Sequence, residues 1–185
     1  MLNTNNNIKN PGLNILPPGV ERHIVNGGGL TAFQVFPDDE LEIVNNEGNQ
    51  ICEIICFNKD GNSDVGILNL KANNEKNFIR NILDGKDETI LATNYQLKKR
   101  NLKISNSKSS LIFDPDSKPG EKSKLKSKDK CYAIFAAPGV DMDVTKQNPP
   151  TDLTIFIKRA KIINDKELNV IPDPVFEPLY EENIN

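Results

Sequence analysis

The stretch from Leu41 to Asn58, LEIVNNEGNQICEIICFN, constrains the fold most strongly, because it places two apolar runs on either side of a short polar connection. The runs cover Leu41–Asn45 and Gln50–Asn58, and the connection contains Gly48. Two apolar runs joined by a short loop with a glycine are typical of a β-hairpin. We therefore expect these strands to pair with each other and to form the core hairpin of the fold.

The second run predicts a strand in the interior of a sheet, because it is apolar on both faces. Successive side chains of a strand point to opposite faces. The run therefore presents two apolar rows, which are Cys52, Ile54 and Cys56 on one face and Ile51, Ile55 and Phe57 on the other. A half-solvated strand would instead alternate apolar with polar residues.

The single charge within this run, Glu53, is the leading catalytic candidate. A carboxylate in a buried strand requires either a partner or a function. Without a partner its pKa would rise, which suits a general acid or base. An ion pair with Arg22, Arg80 or Arg159 would instead make Glu53 a structural residue. The sequence leaves both interpretations open.

The rest of the sequence predicts a mainly β (α+β) fold with one or two helices at about 74–97. Asn73 or Asn74 can cap the first helix, Gly85 stands where a left-handed residue would end it, and Asp87 can cap a second helix that runs to about Leu97. Further strands are predicted at Val20–Val25, Leu30–Phe36, Asp64–Leu70, Leu102–Ile104, Ser109–Phe113, Cys131–Ala137 and Leu153–Arg159. We expect a β-barrel or sandwich of about 8–10 strands.

We expect three regions along the chain. Residues 1–18 are rich in Asn and Pro without periodicity and predict a disordered N-terminal arm. Residues 19–170 have the length of a single domain. Residues 171–185 carry three prolines and an acidic end, which is typical of an extended exit segment or a linker to a further domain.

Composition gives no general attraction toward nucleic acid or anionic membrane. The chain of 185 residues has a formal net charge of -3 and 37% hydrophobic residues, which is ordinary for a soluble protein. The N-terminus lacks the apolar core of a signal peptide, and no run approaches the roughly 18 apolar residues of a membrane span. We expect a cytoplasmic protein with reduced thiols, and the abundance of Asn, Ile and Lys favours a bacterial source.

The cysteines and the single histidine limit the chemistry. On one strand Cys52 and Cys56 would lie about 13 Å apart, too far for a disulfide or for one shared metal ion. His23 is the only histidine, so a site with two histidines cannot come from this chain. We predict no metal site, with His23 and Cys131 as the only weak metal-ligand candidates, and Cys52 and Cys56 as catalytic candidates beside Glu53.

Five lysines follow each other at every second position, a pattern that would align them on one face of an extended strand. They are Lys122, Lys124, Lys126, Lys128 and Lys130. This lysine ladder could gather an acidic partner or a phosphate, or it could keep an edge strand from pairing with a neighbour. The aromatic residues that single-stranded nucleic acid would require between them are missing.

The span from Leu30 to Asn58, with the glycines before it, resembles the opening of the urea carboxylase-associated family, a domain of unknown function. The family pattern is matched by Asp39, Leu41, Ile43, Glu47, Gly48, Gln50, Phe57 and Asn58. Asn45 and Glu53 stand where the family has Asp, and a looser match covers Asp152–Arg159. The resemblance implies ligand-binding roles for Gln50, Asn58 and Asp152.

From about Pro18 to its end the chain is more closely similar to the N-terminal part of bacterial aminomethyltransferase or glycine-cleavage T-protein-like proteins. The segments that carry this resemblance are Asn148–Asp152 and Ile171–Pro174. In those proteins two copies of the module precede a folate-dependent domain. The resemblance implies no cofactor for this chain, with folate bound only by the absent downstream domain, and a second copy in cis or in trans as a partner.

These resemblances predict a non-catalytic accessory or ligand-binding module of a one-carbon or nitrogen-metabolism protein, and they lean against an enzyme. The alternative is a small C–N bond hydrolase of the carboxyguanidine deiminase type, with zinc as a metal cofactor and Glu53 at its centre. The His-Asp and Cys motifs of such relatives have no counterpart at Gly139–Met142. A small-molecule ligand fits either prediction, and neither nucleic acid nor membrane is an expected partner.

Overall fold

A computed structural model describes residues 16–73, 77–139 and 149–161, and these residues form two antiparallel four-stranded sheets with few helices. The strands are β1 Val20–Val25, β2 Leu30–Val35, β3 Glu40–Asn45, β4 Cys52–Asn58, β5 Ser109–Ile112, β6 Glu121–Lys126, β7 Cys131–Ala136 and β8 Leu153–Lys158. Sheet one has the order β1-β8-β3-β6 and sheet two the order β2-β7-β4-β5. The mainly β prediction is confirmed, in the form of a sandwich.

The two sheets enclose one core, and two helices cover the outer face of sheet two. Buried residues of both sheets meet in the inner cluster, among them Ile43 and Ile155 from sheet one and Ile54 and Phe135 from sheet two. On the far side of sheet two a second cluster packs the strands against helices α1 Phe78–Leu83 and α2 Glu88–Lys99. The outer face of sheet one has no helix on it among the described residues.

The predicted pairing of the core hairpin is wrong, because its two strands lie in opposite sheets. β3 pairs with β6 and β8, whereas β4 pairs with β5 and β7. The connection at 46–51 therefore crosses from one sheet to the other, and its backbone bonds to a distant loop. The amide of Asn49 donates to the carbonyl oxygen of Ser117 at 2.8 Å, and the buried Asn45 amide donates to the Ser117 hydroxyl at 2.7 Å.

Two consecutive left-handed residues give the crossing connection its course. Gly48 has φ of +78° and Asn49 has φ of +56°, a region that Gly and Asn enter at low cost. A Cβ on Gly48 would lie 2.7 Å from the carbonyl oxygen of Ser117. The glycine that suggested a tight hairpin turn is therefore required for a close approach to another loop.

The interior position of the second strand is confirmed. β4 has neighbours on both sides and is buried along almost its whole length. Cys52, Ile54 and Cys56 face the inner core, while Ile55 and Phe57 pack toward the helices. A strand in the middle of a sheet with a layer on each face has no solvated side, which explains its unbroken apolar composition.

The helices match the prediction in place but differ in their ends. The Asp87 carboxylate accepts from the amide of Ile90 at 3.0 Å, so Asp87 caps α2 as expected. Asn77 stands at the N-terminus of α1 without a side-chain capping bond, and Asn74 lies outside the described residues. Gly85 is not left-handed. A Cβ there would lie 2.6 Å from Cδ1 of Ile90, the end of a flexible side chain, and 3.0 Å from the carbonyl oxygen of Ile82.

Two predicted strands are wrong. The strand predicted at Asp64–Leu70 is instead a 3-10 helix at Val65–Leu68. The Asp64 carboxylate caps this helix by accepting from the amide of Gly66, and Asn69 ends it with φ of +62°. The segment predicted at 102–104 leads instead into a 3-10 turn at Ile104–Asn106. The apolar residues of Val65–Leu68 are buried, and Leu102 and Ile104 are partly buried, without joining a sheet ladder. The sequence pattern cannot distinguish such segments from strands.

The lysine ladder begins on an edge strand. β6 lies at the edge of sheet one, and its lysines are paired with acids of the neighbouring chain segments. Nζ of Lys122 lies 2.7 Å from Glu42, and Nζ of Lys126 lies 3.0 Å from Asp38. Lys128 and Lys130 follow in the turn before β7. The interpretation as protection of an edge strand agrees with this position.

The predicted arm and exit segment lie outside the described residues, except for the last three residues of the arm. The division into arm, domain and exit segment therefore stays a prediction. Among the described residues, no helix combines the length and the apolar character that crossing a membrane requires.

Candidate functional site

Glu53 is buried on the side of β4 that faces the helices. Its side chain accepts a hydrogen bond of 2.6 Å from the amide of Ile79 in the first turn of α1, and the Ser109 hydroxyl also bonds to it. Burial raises the pKa of Glu53, although these hydrogen bonds and the nearby Arg80 charge act in the opposite direction. From its position on β4, the Glu53 carboxyl group thus binds the N-terminal turn of α1. Its raised pKa lets it keep a proton at a pH above the ordinary range for a carboxyl group.

The cysteine candidates lie on the other face of the same strand. Cys52 and Cys56 point into the inner core, so the structure does not bring them together with the Glu53 carboxyl group. Burial raises the pKa of Cys52. A hydrogen bond with the Cys131 side chain, together with burial, raises the pKa of Cys56. At neutral pH these thiols stay protonated, and a protonated thiol is a poor nucleophile.

His23 lies at the edge of sheet one and is occupied by two contacts. Nε2 lies 3.1 Å from a carboxylate oxygen of Glu21, and the ring stacks on Phe33 with 4.5 Å between centroids. The part of the chain that the structure describes contains no group of three or more His, Cys, Asp or Glu side chains placed to hold a metal ion. Cys131, the other metal candidate, lies on β7 in sheet two.

Of the three predicted ligand-binding residues, Gln50 and Asp152 lie close together and Asn58 lies apart from them. All three side chains form hydrogen bonds to the backbone of loops. Gln50 is buried, donates to the carbonyl oxygen of Pro138 at 2.9 Å and accepts from the amide of Thr151 at 2.7 Å. The neighbouring Asp152 accepts from the amide of Gly27 at 2.8 Å. Asn58 lies at the opposite end of β4, where it accepts from the amides that follow it in the turn. Their predicted roles in ligand binding stay untested.

Arg159 pairs with two acids, the buried Asp39 and the partly exposed Glu21. It makes two hydrogen bonds of 2.7 Å to the two carboxylate oxygens of Glu21 and a third of 2.7 Å to Asp39. Burial acts against ionisation of Glu21, but the Arg159 and His23 side chains prevail and lower its pKa. Asp39, which the resemblance marked as a matched residue, is therefore a structural partner of Arg159.

A cavity of about 390 Å³ opens where β4 ends and β7 begins, and its charged lining is mostly cationic. Four cations border it, namely Lys59, Lys99, Arg100 and Lys130, against one acid, Asp60. The apolar part of the wall comes from Phe57, Leu102 and Tyr132. We call this space the basic cavity.

Sequence reasoning missed the basic cavity, because its four cations come from three separate places in the chain. Lys59 follows β4, Lys99 and Arg100 end α2, and Lys130 precedes β7. Only Lys130 stood out in the sequence, as the last member of the lysine ladder. Lysine and arginine near the end of a helix also have an ordinary explanation, since they complement its dipole.

The fold and the cavity define the chain as an antiparallel β-sandwich with a basic cavity at one end of its second sheet. No protein-family model matches the sequence. The chain is similar to the trimethylamine-oxide aldolase of Ruegeria pomeroyi, with 29% identity over 170 residues, or 92% of this chain. It spans about a fifth of that relative, 21% of its length.

Among solved structures, the chain is similar to the crystal structure of a DUF1989 family protein from Silicibacter pomeroyi. The TM-score is 0.42 and the sequence identity 12%, and the likeness covers 89% of this chain and 86% of the other.

These comparisons overturn the predicted function. The curated relative is named as an enzyme, an aldolase that acts on trimethylamine oxide, so the lean against an enzyme is wrong. The name of that relative supports neither a non-catalytic module of an aminomethyltransferase nor the alternative of a carboxyguanidine deiminase. The resemblance to aminomethyltransferases and glycine-cleavage T-proteins is likewise not supported.

Proposed function

We propose that this chain forms part of an enzyme that acts on trimethylamine oxide or on a related amine oxide. The observation that carries the proposal is the 29% identity to trimethylamine-oxide aldolase over 170 residues. A span of that length leaves out at most 15 of the 185 residues, since 185 minus 170 is 15. It therefore includes every residue from 16 to 170, and with them all the residues that the structure describes.

The fold supports the proposal because the similar span contains a complete packing unit. Both sheets, both helices and the two clusters of buried side chains lie within it. The segment of the relative that corresponds to this chain has the length to build the same unit. We therefore assign the chain to such an enzyme as a whole folded unit.

A chimaera tests the proposal directly. The matching segment of the Ruegeria enzyme is replaced by this chain, and consumption of trimethylamine oxide is followed through its methyl signal in proton NMR. We expect the chimaera to consume trimethylamine oxide, while the same enzyme with the segment deleted does not. Circular dichroism and size-exclusion chromatography verify that both proteins are folded.

A folded chimaera that consumes no trimethylamine oxide would contradict the proposal. An unrelated β-sandwich of similar length in the same position serves as the matched control, because it fills the space without the similar sequence. If that control consumed trimethylamine oxide as fast as the chimaera, the similarity would carry no function.

A further inference from the structure

We propose that the basic cavity is a binding site for a small organic anion, with a carboxylate or phosphate head group and an apolar body. The inference is independent of the proposed function, because it rests only on the charge, shape and walls of the cavity. Four cations against one acid give its lining a formal charge of +3. The partial negative charge at the end of α2 offsets roughly half a charge and leaves the cavity positive.

Two cations of the cavity, Lys59 and Lys99, differ from the lysines of sheet one in their surroundings. On sheet one, Lys122, Lys124 and Lys158 lie within 4 Å of Glu42 or Glu40, so acids of the same sheet neutralise them. Among the described residues, neither Lys59 nor Lys99 has a carboxylate within that distance. No described carboxylate therefore neutralises Lys59 or Lys99, and a lining with more cations than acids attracts anions.

Three of the four cations are positioned by aromatic rings. The Arg100 guanidinium lies 4.8 Å from the centroid of the Tyr132 ring. The Lys130 ammonium lies 4.9 Å from that of Phe36. The Lys99 ammonium lies 5.3 Å from that of Tyr95. An aromatic ring restricts the side chain that lies over it and carries no formal charge of its own. Arginine held in this way can present a planar donor edge to a carboxylate or phosphate.

The apolar wall indicates more than an inorganic ion. Phe57, Leu102 and Tyr132 border the same space, and Asn58 contributes an amide whose oxygen is fixed by the amides of Asp60 and Asn62. Its volume of about 390 Å³ lies within the usual range of small-molecule sites, roughly 300–1,000 Å³. Such a space accommodates a compact ring or short chain that carries one anionic group.

A larger groove of about 700 Å³ on the outer face of sheet one does not have the same character. Lys124, Lys126 and Lys158 border it together with Glu40 and Glu42, and these groups pair with one another or with Asp38. Its charges are therefore satisfied within the protein. This groove supplies the position for a control substitution.

The test uses the purified full chain and four probes in titration calorimetry. Phenyl phosphate and benzoate carry the anionic head on an apolar body, inorganic phosphate carries the head alone, and benzamide carries the body alone. We expect phenyl phosphate and benzoate to bind, inorganic phosphate to bind more weakly, and benzamide to show no binding. Rising sodium chloride should weaken the binding of the anions. The stronger of the two organic anions identifies the head group.

Variants locate the site. Arg100→Gln, and separately the double variant Lys59→Gln with Lys99→Gln, should each weaken phenyl phosphate binding by at least about tenfold. Lys124→Gln removes one charge from the other sheet, where Lys124 lies 3.7 Å from Glu42 and does not border the cavity, and should leave the affinity within about twofold. Arg100→Lys separates charge from the planar donor edge and should fall between wild type and Arg100→Gln.

Two results would overturn the inference. One is a folded wild-type chain that binds neither phenyl phosphate nor benzoate at millimolar concentration. The other is binding that survives Arg100→Gln and the double lysine variant unchanged. If Arg100→Gln did not fold, the double variant would decide alone, because Lys59 and Lys99 are exposed. Equal binding of benzamide would also count against an anion site.

Discussion

Asp39 and Arg159 lie 120 positions apart in the sequence and are joined by a hydrogen bond of 2.7 Å. Their side chains are 1% and 6% exposed, so the pair is shielded from water, and Asp39 also accepts from the amides of Phe36 and Ala160. The ends of β2 and β8, which belong to different sheets, are thereby tied together.

Loss of this pair should destabilise the fold strongly. Arg159→Met leaves the Asp39 carboxylate buried without its cation, which costs about 3–5 kcal/mol in comparable buried pairs. We expect a decrease of that size in the free energy of unfolding, measured in urea. The neighbouring Lys158→Met is the control, because Lys158 is 69% exposed and should change stability by about 0.5 kcal/mol or less. Equal effects of the two substitutions would refute the assignment.

Gly48→Ala should cost more than Gly120→Ala. Both glycines are left-handed, with φ of +78° and +75°, but a Cβ on Gly48 meets Ser117 at 2.7 Å whereas one on Gly120 meets nothing within 4 Å. Gly120→Ala therefore carries only the backbone cost of about 1 kcal/mol, and Gly48→Ala should lose about 3 kcal/mol or more. Urea unfolding of the two variants measures the difference. Similar losses would show that the crossing connection tolerates a side chain.

Glu53→Gln should become relatively more stable than wild type as pH rises. Burial holds the pKa of Glu53 above its ordinary value of 4.5 in the folded state, so the folded chain binds the proton more tightly than the unfolded chain. The stability of wild type therefore falls as pH rises from 4.5 to the folded-state pKa and is level above it. Gln keeps an acceptor for the Ile79 amide and does not titrate.

Urea unfolding at a series of pH values from 4 to 8 measures this difference in stability. Glu53→Leu serves as the comparison, because it also removes the titration but leaves the Ile79 amide without its acceptor, at a cost of about 1–3 kcal/mol. A difference between wild type and Glu53→Gln that does not change with pH would show that the folded-state pKa is not raised.

The cysteines should resist thiol reagents until the chain unfolds. All three are free and buried, with exposures of 0%, 0% and 3% for Cys52, Cys56 and Cys131. Burial raises the pKa of Cys52, which lowers its thiolate fraction further. We expect Ellman's reagent to label none of them in native buffer and all of them in urea. Rapid native labelling of one thiol would show that the inner core opens locally.

The sequence predicted most strands but not their partners. Periodicity located β4 and its burial on both faces, since that information is contained in neighbouring residues. It misassigned the pairing of β3 with β4, because the connection between them is fixed by Ser117, which lies far along the chain. Partner choice in a sandwich depends on such distant contacts, and no local pattern contains them.

The same reason limited the prediction of the site. Glu53 was recognised as a buried acid, but its bond to Ile79 requires knowing where α1 packs. Arg159 was considered as a partner of Glu53, whereas it pairs with Glu21 and Asp39. The basic cavity collects side chains from the ends of separate elements, so only the fold shows that they share one space.

The strand order has a consequence for how the protein is made. β1 pairs with β8, β2 with β7, β3 with β6 and β8, and β4 with β5 and β7. Each of the first four strands thus pairs only with strands that come later in the chain. Among the described residues, 16–60 contain no pair of hydrogen-bonded strands, so both layers assemble only after translation has passed β5 at Ser109–Ile112.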